Sequence, residues 1–421
     1  VSFSPAMRVV RPFRSRDFVL LWVGTQVSLL GDGIYFVAIA WEVYRLSNDP
    51  GALSLVGVAW TVPHVAALLV GGAVSDRFER RRVMLAANVV SGLTIGTIAV
   101  LVLAGRVELW HIWLLVAVYG ASVAFFIPAS SAILPEIIPK ELLLEANSLQ
   151  SFARPLTLRL LGPAVGGILV AGVGAAAALL ADAGTFAFAA VTLFFVSKRV
   201  RERPADEGAT SLLQEVWDGF KFVRSQTWLW VSLLAAGLWL FLTVGPIEVL
   251  IPFLVKNRIG ASAVGLGLVF AAGGAGAFVC SLGLALYGRT PRRGLAFVYV
   301  TWAGSTFAVA ALALCVHVWQ AMLASVVLFG FSASGGIVWR TLLQRRVPGD
   351  MLGRVSSLDW FASAGLVPVS FALTGPVAAS FGASKTLFAA GMAGGILMLA
   401  CLLVRDLRAE EPSPEAQPAV P

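Results

Sequence analysis

Twelve apolar stretches divide the chain, and each is long enough to cross a membrane as a helix. A spanning helix needs about 20 mostly apolar residues, and stretches of that length recur between charged or turn-forming residues along the whole chain. This pattern predicts an all-α integral membrane protein with twelve transmembrane helices. The predicted spans are 18–44, 52–75, 83–104, 110–134, 142–172, 175–197, 227–255, 263–287, 294–315, 319–343, 353–379 and 384–405.

The composition excludes the other broad classes of protein. Hydrophobic residues make up 58% of the chain and charged residues 13%, whereas a soluble domain carries about 25% charge. Disorder needs low hydrophobicity, and β-barrel strands need short alternating segments. Three cysteines, all inside apolar stretches, are too few for a secreted disulfide scaffold; they are Cys280, Cys315 and Cys401.

The net charge of +8 reflects membrane topology. Cytoplasmic loops of membrane proteins carry an excess of Lys and Arg. If the N-terminus is cytoplasmic, 23 of the 31 basic residues fall in tails and loops on that side, and only five fall in the opposite loops. We therefore expect both termini in the cytoplasm and no nucleic-acid partner.

The two halves of the chain are related. The segment IPKELLLEANSLQSFA at 138–153 matches VPGDMLGRVSSLDWFA at 347–362, and Gly162–Pro163 matches Gly375–Pro376. Six-helix repeats enter the membrane from the same side and leave a central cavity between them. The pattern predicts two halves related by pseudo-two-fold symmetry. The predicted parts are an N-terminal segment 1–17, a bundle 18–197, a linker 198–226 with an amphipathic helix, a bundle 227–405 and a disordered tail 406–421.

A basic motif, GGAVSDRFERRRVM, follows the second predicted span. It resembles the cytoplasmic signature of the major facilitator superfamily, G-x-x-x-D-R-x-G-R-R, with Glu79 where the family usually has Gly. We interpret Asp76 as a latch against the start of the eleventh span, where a helix N-terminus stabilises a carboxylate. The alternative is that the arginines only fix the topology. The matching residues are Gly72, Asp76, Arg77, Arg80 and Arg81.

A second motif, LRLLGPAVGGILV, lies in the fifth predicted span. It is similar to the G-P-x-x-G-G antiporter signature of drug-efflux members of the superfamily, through Gly162, Pro163, Gly166 and Gly167. A proline bends a helix, and small residues let a neighbouring helix pack closely. The alternative is ordinary small-residue packing.

Acidic residues within the spans are the candidate proton carriers, because an ionised group at the bilayer centre costs at least about 2.5–3.5 kcal/mol. Asp32 lies in the middle of the first span and Glu248 in the seventh. The resemblance implies that helices one, four, seven and ten line the cavity, so both acids should face it. Burial favours a protonated carboxyl and a substrate cation favours an ionised one, so one group can exchange a proton for a drug. The alternative for each acid is a structural ion pair or hydrogen bond.

Weaker candidates complete the predicted site. Asp359 is a third proton-coupling candidate, with Arg154 or Arg340 as its partner, and Asp182 is interpreted as structural. The chain has no metal-ligand motif, P-loop or nucleophilic triad, which predicts a protein that is not an enzyme and needs no cofactor beyond the proton gradient. The predicted cavity lining consists of Gln26, Tyr35, Phe36, Phe125, Phe126 and Trp239.

The opening stretch, RSRDFVLLWVGTQVSLLGDGIYFVAIAW at 14–41, resembles the macrolide-efflux branch of the superfamily. The resemblance implies a monomeric multidrug or antibiotic exporter of the bacterial inner membrane, working among lipids by proton antiport and alternating access on amphiphilic small molecules. Export of an endogenous siderophore and lipid transport are the alternatives within transport. Outside transport, a membrane receptor or an integral membrane enzyme stays open.

Overall fold

The computed structural model describes residues 11–197, 212–287, 291–404 and 407. In this part of the chain, twelve helices are long and apolar enough to cross a membrane, and every regular element is helical. The all-α fold with twelve membrane-crossing helices is therefore confirmed.

The N-terminal half contains the first six spans. Each span is one helix except the fifth, which consists of α5, a π-helical segment Pro155–Leu161 and α6. The helices are α1 Arg16–Leu46, α2 Pro50–Arg77, α3 Arg80–Leu103, α4 Leu109–Ile137, α5 Leu143–Arg154, α6 Gly162–Val173 and α7 Ala175–Phe194.

The C-terminal half contains the other six spans, preceded by the short helix α8. Its eleventh span is divided into α13 and α14 at Leu366. The helices are α8 Leu212–Ser225, α9 Thr227–Asn257, α10 Ala263–Tyr287, α11 Gly294–Leu312, α12 Val318–Arg346, α13 Gly349–Gly365, α14 Val367–Phe381 and α15 Ala383–Cys401.

Local sequence explains where several helices begin. The Ser15 hydroxyl accepts a hydrogen bond from the Phe18 amide at the start of α1, and Asp49 caps α2 just before Pro50. Side-chain oxygens at these positions satisfy amides that have no partner within the helix. Gly174 and Gly382 turn the chain between spans with φ of 91° and 87°, a conformation that favours glycine.

Corresponding helices pack in the same way in the two halves. In the first half α1 packs on α7, α2 on α4, and α3 on both α4 and α7. In the second half α9 packs on α15, α10 on α12, and α11 on both α12 and α15. The internal repeat therefore corresponds to one helix arrangement built twice.

The loops between spans define two ends of the molecule. We call the end with the connections 47–49, 104–108, 258–262 and 313–317 the hairpin end, and the opposite end, where α1 begins, the termini end. Residues 198–211 of the predicted linker lie outside the described residues. The predicted disordered tail also lies outside them, except for Leu407. The predicted domain boundaries stay predictions.

Candidate functional site

The two halves are joined at the hairpin end by α1 and α9. The Tyr44 hydroxyl donates a hydrogen bond to the Val249 carbonyl oxygen at 2.7 Å, and the Lys256 ammonium donates to the Tyr44 carbonyl oxygen. The side-chain amides of Asn48 and Asn257 also bond to each other, at 2.8 and 3.1 Å. These contacts hold the first and seventh spans together where they leave the apolar region.

A second contact between the halves joins α2 to α14. The Ser54 hydroxyl donates to the Phe371 carbonyl oxygen and accepts from the Gly375 amide at 3.2 Å. Gly57 lies against the Phe371 ring, and Gly375 lies against Gly51. Small residues thus allow the second and eleventh spans to touch along their backbones.

A third contact joins α6 to α10 through glycine. A Cβ atom added at Gly167 would lie 2.8 Å from the Ala263 carbonyl oxygen and 3.1 Å from the Gly267 Cα. Gly274, further along α10, lies against the backbone of Arg159 in the π-helical segment. Close packing between the halves therefore extends along this pair of spans from the hairpin end to the middle.

The eleventh span changes its main packing partners along its length. Its α14 part packs on α2 of the other half, whereas α13 packs on α8, α9 and α12 of its own half. Phe361 on α13 is 67% exposed. One ring contact joins the halves on this side, between Phe152 and Phe278, whose centroids are 5.0 Å apart in an edge-on arrangement. Arg154, further into the fifth span, is also exposed. The described contacts between the halves thus concentrate at the hairpin end and in the middle of the spans.

Asp32 occupies the middle of α1 and is half-buried. The Tyr119 hydroxyl of α4 donates a hydrogen bond of 2.7 Å to one of its carboxylate oxygens. The Tyr119 ring packs edge-on against Tyr35 at 5.3 Å, and the positive charge of Arg154 acts on Asp32 through space. This carboxylate is therefore held by one donor and one nearby cation without being sealed into the helix bundle.

Asp182 on α7 is the second acid of this region, and it is fully buried at 0% exposure. The Thr185 hydroxyl contacts one carboxylate oxygen at 3.4 Å, and the other is without a hydrogen-bond partner among the described residues. The carboxyl packs directly on Gly31, the residue before Asp32. The structural role that the sequence predicts for Asp182 stays a prediction.

Glu248 lies opposite an arginine that sequence reasoning did not assign to the site. The Arg159 guanidinium in the π-helical segment is 3.5 Å from a Glu248 carboxylate oxygen of α9, so the pair joins the two halves. Arg159 also lies over the rings of Phe36 and Phe329, at 5.8 and 5.5 Å from their centres. The signal available in the sequence was an arginine inside a span, which is rare unless it faces a protein interior or a cavity.

Asp359 lies in the C-terminal half, away from these acids. The Trp339 indole donates a hydrogen bond of 3.2 Å to its carboxylate, and the charge of Arg340 acts on it. Trp339 belongs to an aromatic cluster in which Trp239 stacks on Trp302 at 5.1 Å with an interplanar angle of 8°. Of the two predicted partners, Arg340 is near Asp359, whereas Arg154 acts on Asp32.

The six predicted lining residues occupy different environments. Phe36 is exposed between the halves beside Arg159. Gln26 is buried and accepts a hydrogen bond from the Thr157 hydroxyl at 3.0 Å. Tyr35 is buried beside Tyr119. Phe125 lines a groove between α2, α3 and α4, and Phe126 packs on the buried cluster that contains Met84. Trp239 stacks on Trp302 in the second half.

The arginines of the cytoplasmic motif bind within their own half. Arg80 pairs with Glu136 at 2.7 Å, and Arg81 donates to the carbonyl oxygens of Phe194 and Val196 at 2.8 and 2.9 Å. These bonds tie the start of α3 to the ends of α4 and α7. Arg77 ends α2 and is exposed. The side chains at Gly72 and Asp76 lie outside the described part of the structure. The latch predicted for Asp76 therefore stays a prediction.

The antiporter-like motif packs toward both halves. Gly162 lies against Gly33 of α1, where a Cβ atom would come within 2.6 Å of the Gly33 Cα. Gly166 lies on the backbone of Ile34 in the same helix, whereas Gly167 faces α10 of the other half. Pro163 begins α6 next to Gly162. The motif thus allows one helix to contact its own bundle and the opposite one at backbone distance.

Comparisons with known proteins place this geometry in a family of transporters. The chain matches the family described as "Transmembrane secretion effector" over residues 8–419. It is 28% identical over 414 residues to the enterobactin exporter EntS of Citrobacter koseri, covering 95% of each chain. It is also 27% identical over 356 residues to the MFS-type transporter YfiS of Bacillus subtilis, covering 82% of each.

Solved structures with the same arrangement of helices are also transporters. The nucleoside transporter NupG superposes with a TM-score of 0.69 at 10% identity, over 92% of this chain and 98% of that one. A bacterial homologue of the iron transporter ferroportin in an inward-facing state superposes with a TM-score of 0.63 at 19% identity, over 91% and 98%. At these identities the likeness shows a shared fold.

Proposed function

Because the chain belongs to the major facilitator superfamily, within the transmembrane secretion effector family, we propose that it is a proton-coupled exporter of an amphiphilic small molecule. As a transporter it is not an enzyme. It would act as a monomer among lipids in the bacterial inner membrane, with the proton gradient as its energy source. The relatives support export as the direction of transport.

The observation that carries this proposal is that direct contacts between the halves concentrate at the hairpin end and in the middle of the spans. The Tyr44 bond to Val249 is one of these contacts, whereas Arg154, nearer the termini end of the fifth span, is exposed. The excess of basic residues on the termini side favours a cytoplasmic position for that end. In this orientation the halves would part on the cytoplasmic side, which is the side from which an exporter loads its substrate.

Asp32 is the group that we assign to proton coupling. It is the acid that combines a central position, partial exposure and a hydrogen-bond donor, Tyr119. An unneutralised carboxylate is costly to enclose inside a membrane protein. Asp32 would take up a proton on one side of the membrane and release it on the other as the halves rock, so that protons move inward while substrate held elsewhere between the halves moves outward.

The named relatives favour a siderophore-type substrate over a multidrug range. One relative, 28% identical over 95% of each chain, is named for export of enterobactin, whereas the resemblance to macrolide-efflux proteins rests on the opening stretch 14–41. We therefore propose siderophore-type amphiphiles as the first class to test. Antibiotics remain the second class, and a labelled lipid represents the lipid-transport alternative.

Transport by the purified protein in proteoliposomes tests the proposal. Vesicles with an acidic lumen are offered radiolabelled enterobactin, a radiolabelled macrolide or a labelled phospholipid, with protein-free vesicles as the control. We expect enterobactin to accumulate and a protonophore to abolish its accumulation. Uptake that is the same with and without the pH gradient would contradict proton antiport. If the labelled phospholipid were the only compound transported, lipid transport would replace the export proposal.

A further inference from the structure

Arg159 is placed where a bound molecule would lie between the halves. It belongs to the π-helical segment Pro155–Leu161, and short π-helical turns inside α-helices occur frequently at functional sites. Its guanidinium lies over Phe36 of its own half and Phe329 of the other half. The Arg159 side chain keeps 39% of its exposure, although it is surrounded by groups of both halves.

The bond between Arg159 and Glu248 is open to exchange. The nearest nitrogen and oxygen atoms are 3.5 Å apart, whereas charge-assisted hydrogen bonds are typically about 2.7–2.9 Å long. Both side chains also remain partly exposed, with 39% exposure at Arg159 and 25% at Glu248. A second anion can therefore compete with Glu248 for the guanidinium.

The surroundings of Arg159 favour an anion that carries an aromatic group. Arg154 lies five residues before Arg159 on the same span, and an added negative charge is attracted to both guanidinium groups. Phe36 is 37% exposed beside the guanidinium, and an exposed ring offers a flat apolar surface to an aromatic ligand. Arginine is suited to carboxylates because its planar donors match two oxygens at once.

We propose that Arg159 binds the anionic group of an aromatic, amphiphilic substrate and that this group displaces Glu248. The proposal rests on the exporter function above and names the substrate class of the same site. Phe36 and Phe329 flank the bound group. The displaced carboxylate and the substrate anion then repel each other across the boundary between the halves.

This displacement provides a trigger for opening the hairpin end. Arg159 belongs to the N-terminal half and Glu248 to the C-terminal half, so moving the halves apart relieves the repulsion. When the anion leaves, the ion pair re-forms and favours closure again. A ligand shifts a conformational equilibrium only through its different affinity for the two states, and here the difference arises from the charge on Glu248.

Cross-linking across the hairpin end measures this response. Asn48 and Asn257 bond through their side chains across the halves, so cysteines at both positions, in a variant with its three native cysteines replaced, report whether that end is closed. The full-length protein in nanodiscs is treated with 2-naphthoate or the neutral 2-naphthamide. We expect 2-naphthoate to lower the cross-linking yield by about threefold and 2-naphthamide to leave it unchanged.

Variants of the ion pair separate a binding role from a merely structural one. Glu248→Gln is expected to lower the yield without any probe, because the pair that favours closure is lost. Arg159→Gln is expected to abolish the response to 2-naphthoate. The matched control is Arg106→Gln, which removes an exposed arginine at the hairpin end, where the cross-link is measured. This variant is expected to cross-link and to respond to 2-naphthoate like the unaltered protein.

The charge-swapped variant Arg159→Glu with Glu248→Arg gives the sharpest result. This variant restores an ion pair between the halves, so the cross-linking yield at the hairpin end should return to that of the unaltered protein. The probe that lowers the yield should now be 2-naphthyltrimethylammonium and no longer 2-naphthoate. Equal responses of the unaltered protein to naphthoate and naphthamide, or a swap that fails to reverse the preference, would overturn the proposal. Cross-linking needs no pH gradient, so a response to naphthoate without coupled transport contradicts the exporter function and leaves this site standing.

Discussion

The two halves share one helix arrangement but carry different chemistry. Asp32 lies sixteen residues after the start of α1, and the corresponding residue of the equally long α9 is Thr243. Asp182 lies eight residues after Gly174, and the residue at the same distance from Gly382 is Ala390. The acids that are buried or half-buried near the centre of the first half are thus replaced by uncharged residues in the second.

The second half carries an aromatic cluster instead. Trp239, Trp302 and Trp339 contact one another through their rings, and the Trp339 indole holds Asp359. Stacked tryptophans bury large apolar surfaces with fixed geometry. The difference teaches that a repeated fold fixes where helices lie, whereas the placement of charged groups within each half depends on a few side chains.

The largest expected effect comes from removing the central acid of the first half. We expect Asp32→Asn to abolish uptake driven by a pH gradient, because asparagine has the same shape but cannot carry a proton. Thr243→Val at the equivalent position is the control and should retain most of the uptake. Transport in proteoliposomes measures the uptake of both variants, and thermal unfolding checks that both are folded. Equal losses of uptake in the two variants would contradict the assignment of proton coupling to Asp32.

The hydrogen bond to that acid should have the next largest effect. Tyr119→Phe removes the donor to Asp32, and a hydrogen bond to a charged group contributes about 1.5–3 kcal/mol. Since about 1.4 kcal/mol corresponds to a factor of ten, we expect coupled uptake to fall by about tenfold. Tyr299→Phe in the second half breaks a bond to the Ser232 hydroxyl and should have a smaller effect in the same assay.

Neighbouring glycines of α6 allow contacts within a half to be compared with contacts between halves. Gly167→Ala places a methyl group against α10, and Gly166→Ala places one against α1. Overpacking costs about 1–3 kcal/mol in both variants. We expect only Gly167→Ala to lower cross-linking between cysteines at positions 48 and 257, because only that methyl pushes the halves apart. A similar decrease in Gly166→Ala would show that the two contacts are not independent.

The smallest expected effect is at the acid of the second half. Asp359 is held by Trp339 within its own bundle, away from the hairpin-end contacts. We expect Asp359→Asn to keep coupled uptake within about twofold of the unaltered protein, since the asparagine oxygen still accepts the indole hydrogen bond. If Asp359→Asn lost as much coupled uptake as Asp32→Asn, acids of both halves would take part in proton coupling.

The candidate site combines residues that the sequence singled out with one that it did not, and both outcomes have identifiable causes. Asp32 and Glu248 were predicted because charged groups inside spans are rare and costly. Arg159 was missed although it pairs with Glu248. It lies in a π-helical segment, where the wider turn changes which face of the helix a residue occupies, so regular helical spacing does not reveal its direction.

The sequence by itself determined the twelve helices and the internal repeat. Inside a lipid bilayer every backbone polar group must be bonded internally, so a long apolar stretch has few structures available to it. Only the tertiary structure decided which end is closed and which side chains meet across the halves, among them Arg159 and Glu248. Those contacts depend on how two bundles rotate and approach each other, and they join residues far apart in the chain, where hydropathy carries no information about direction.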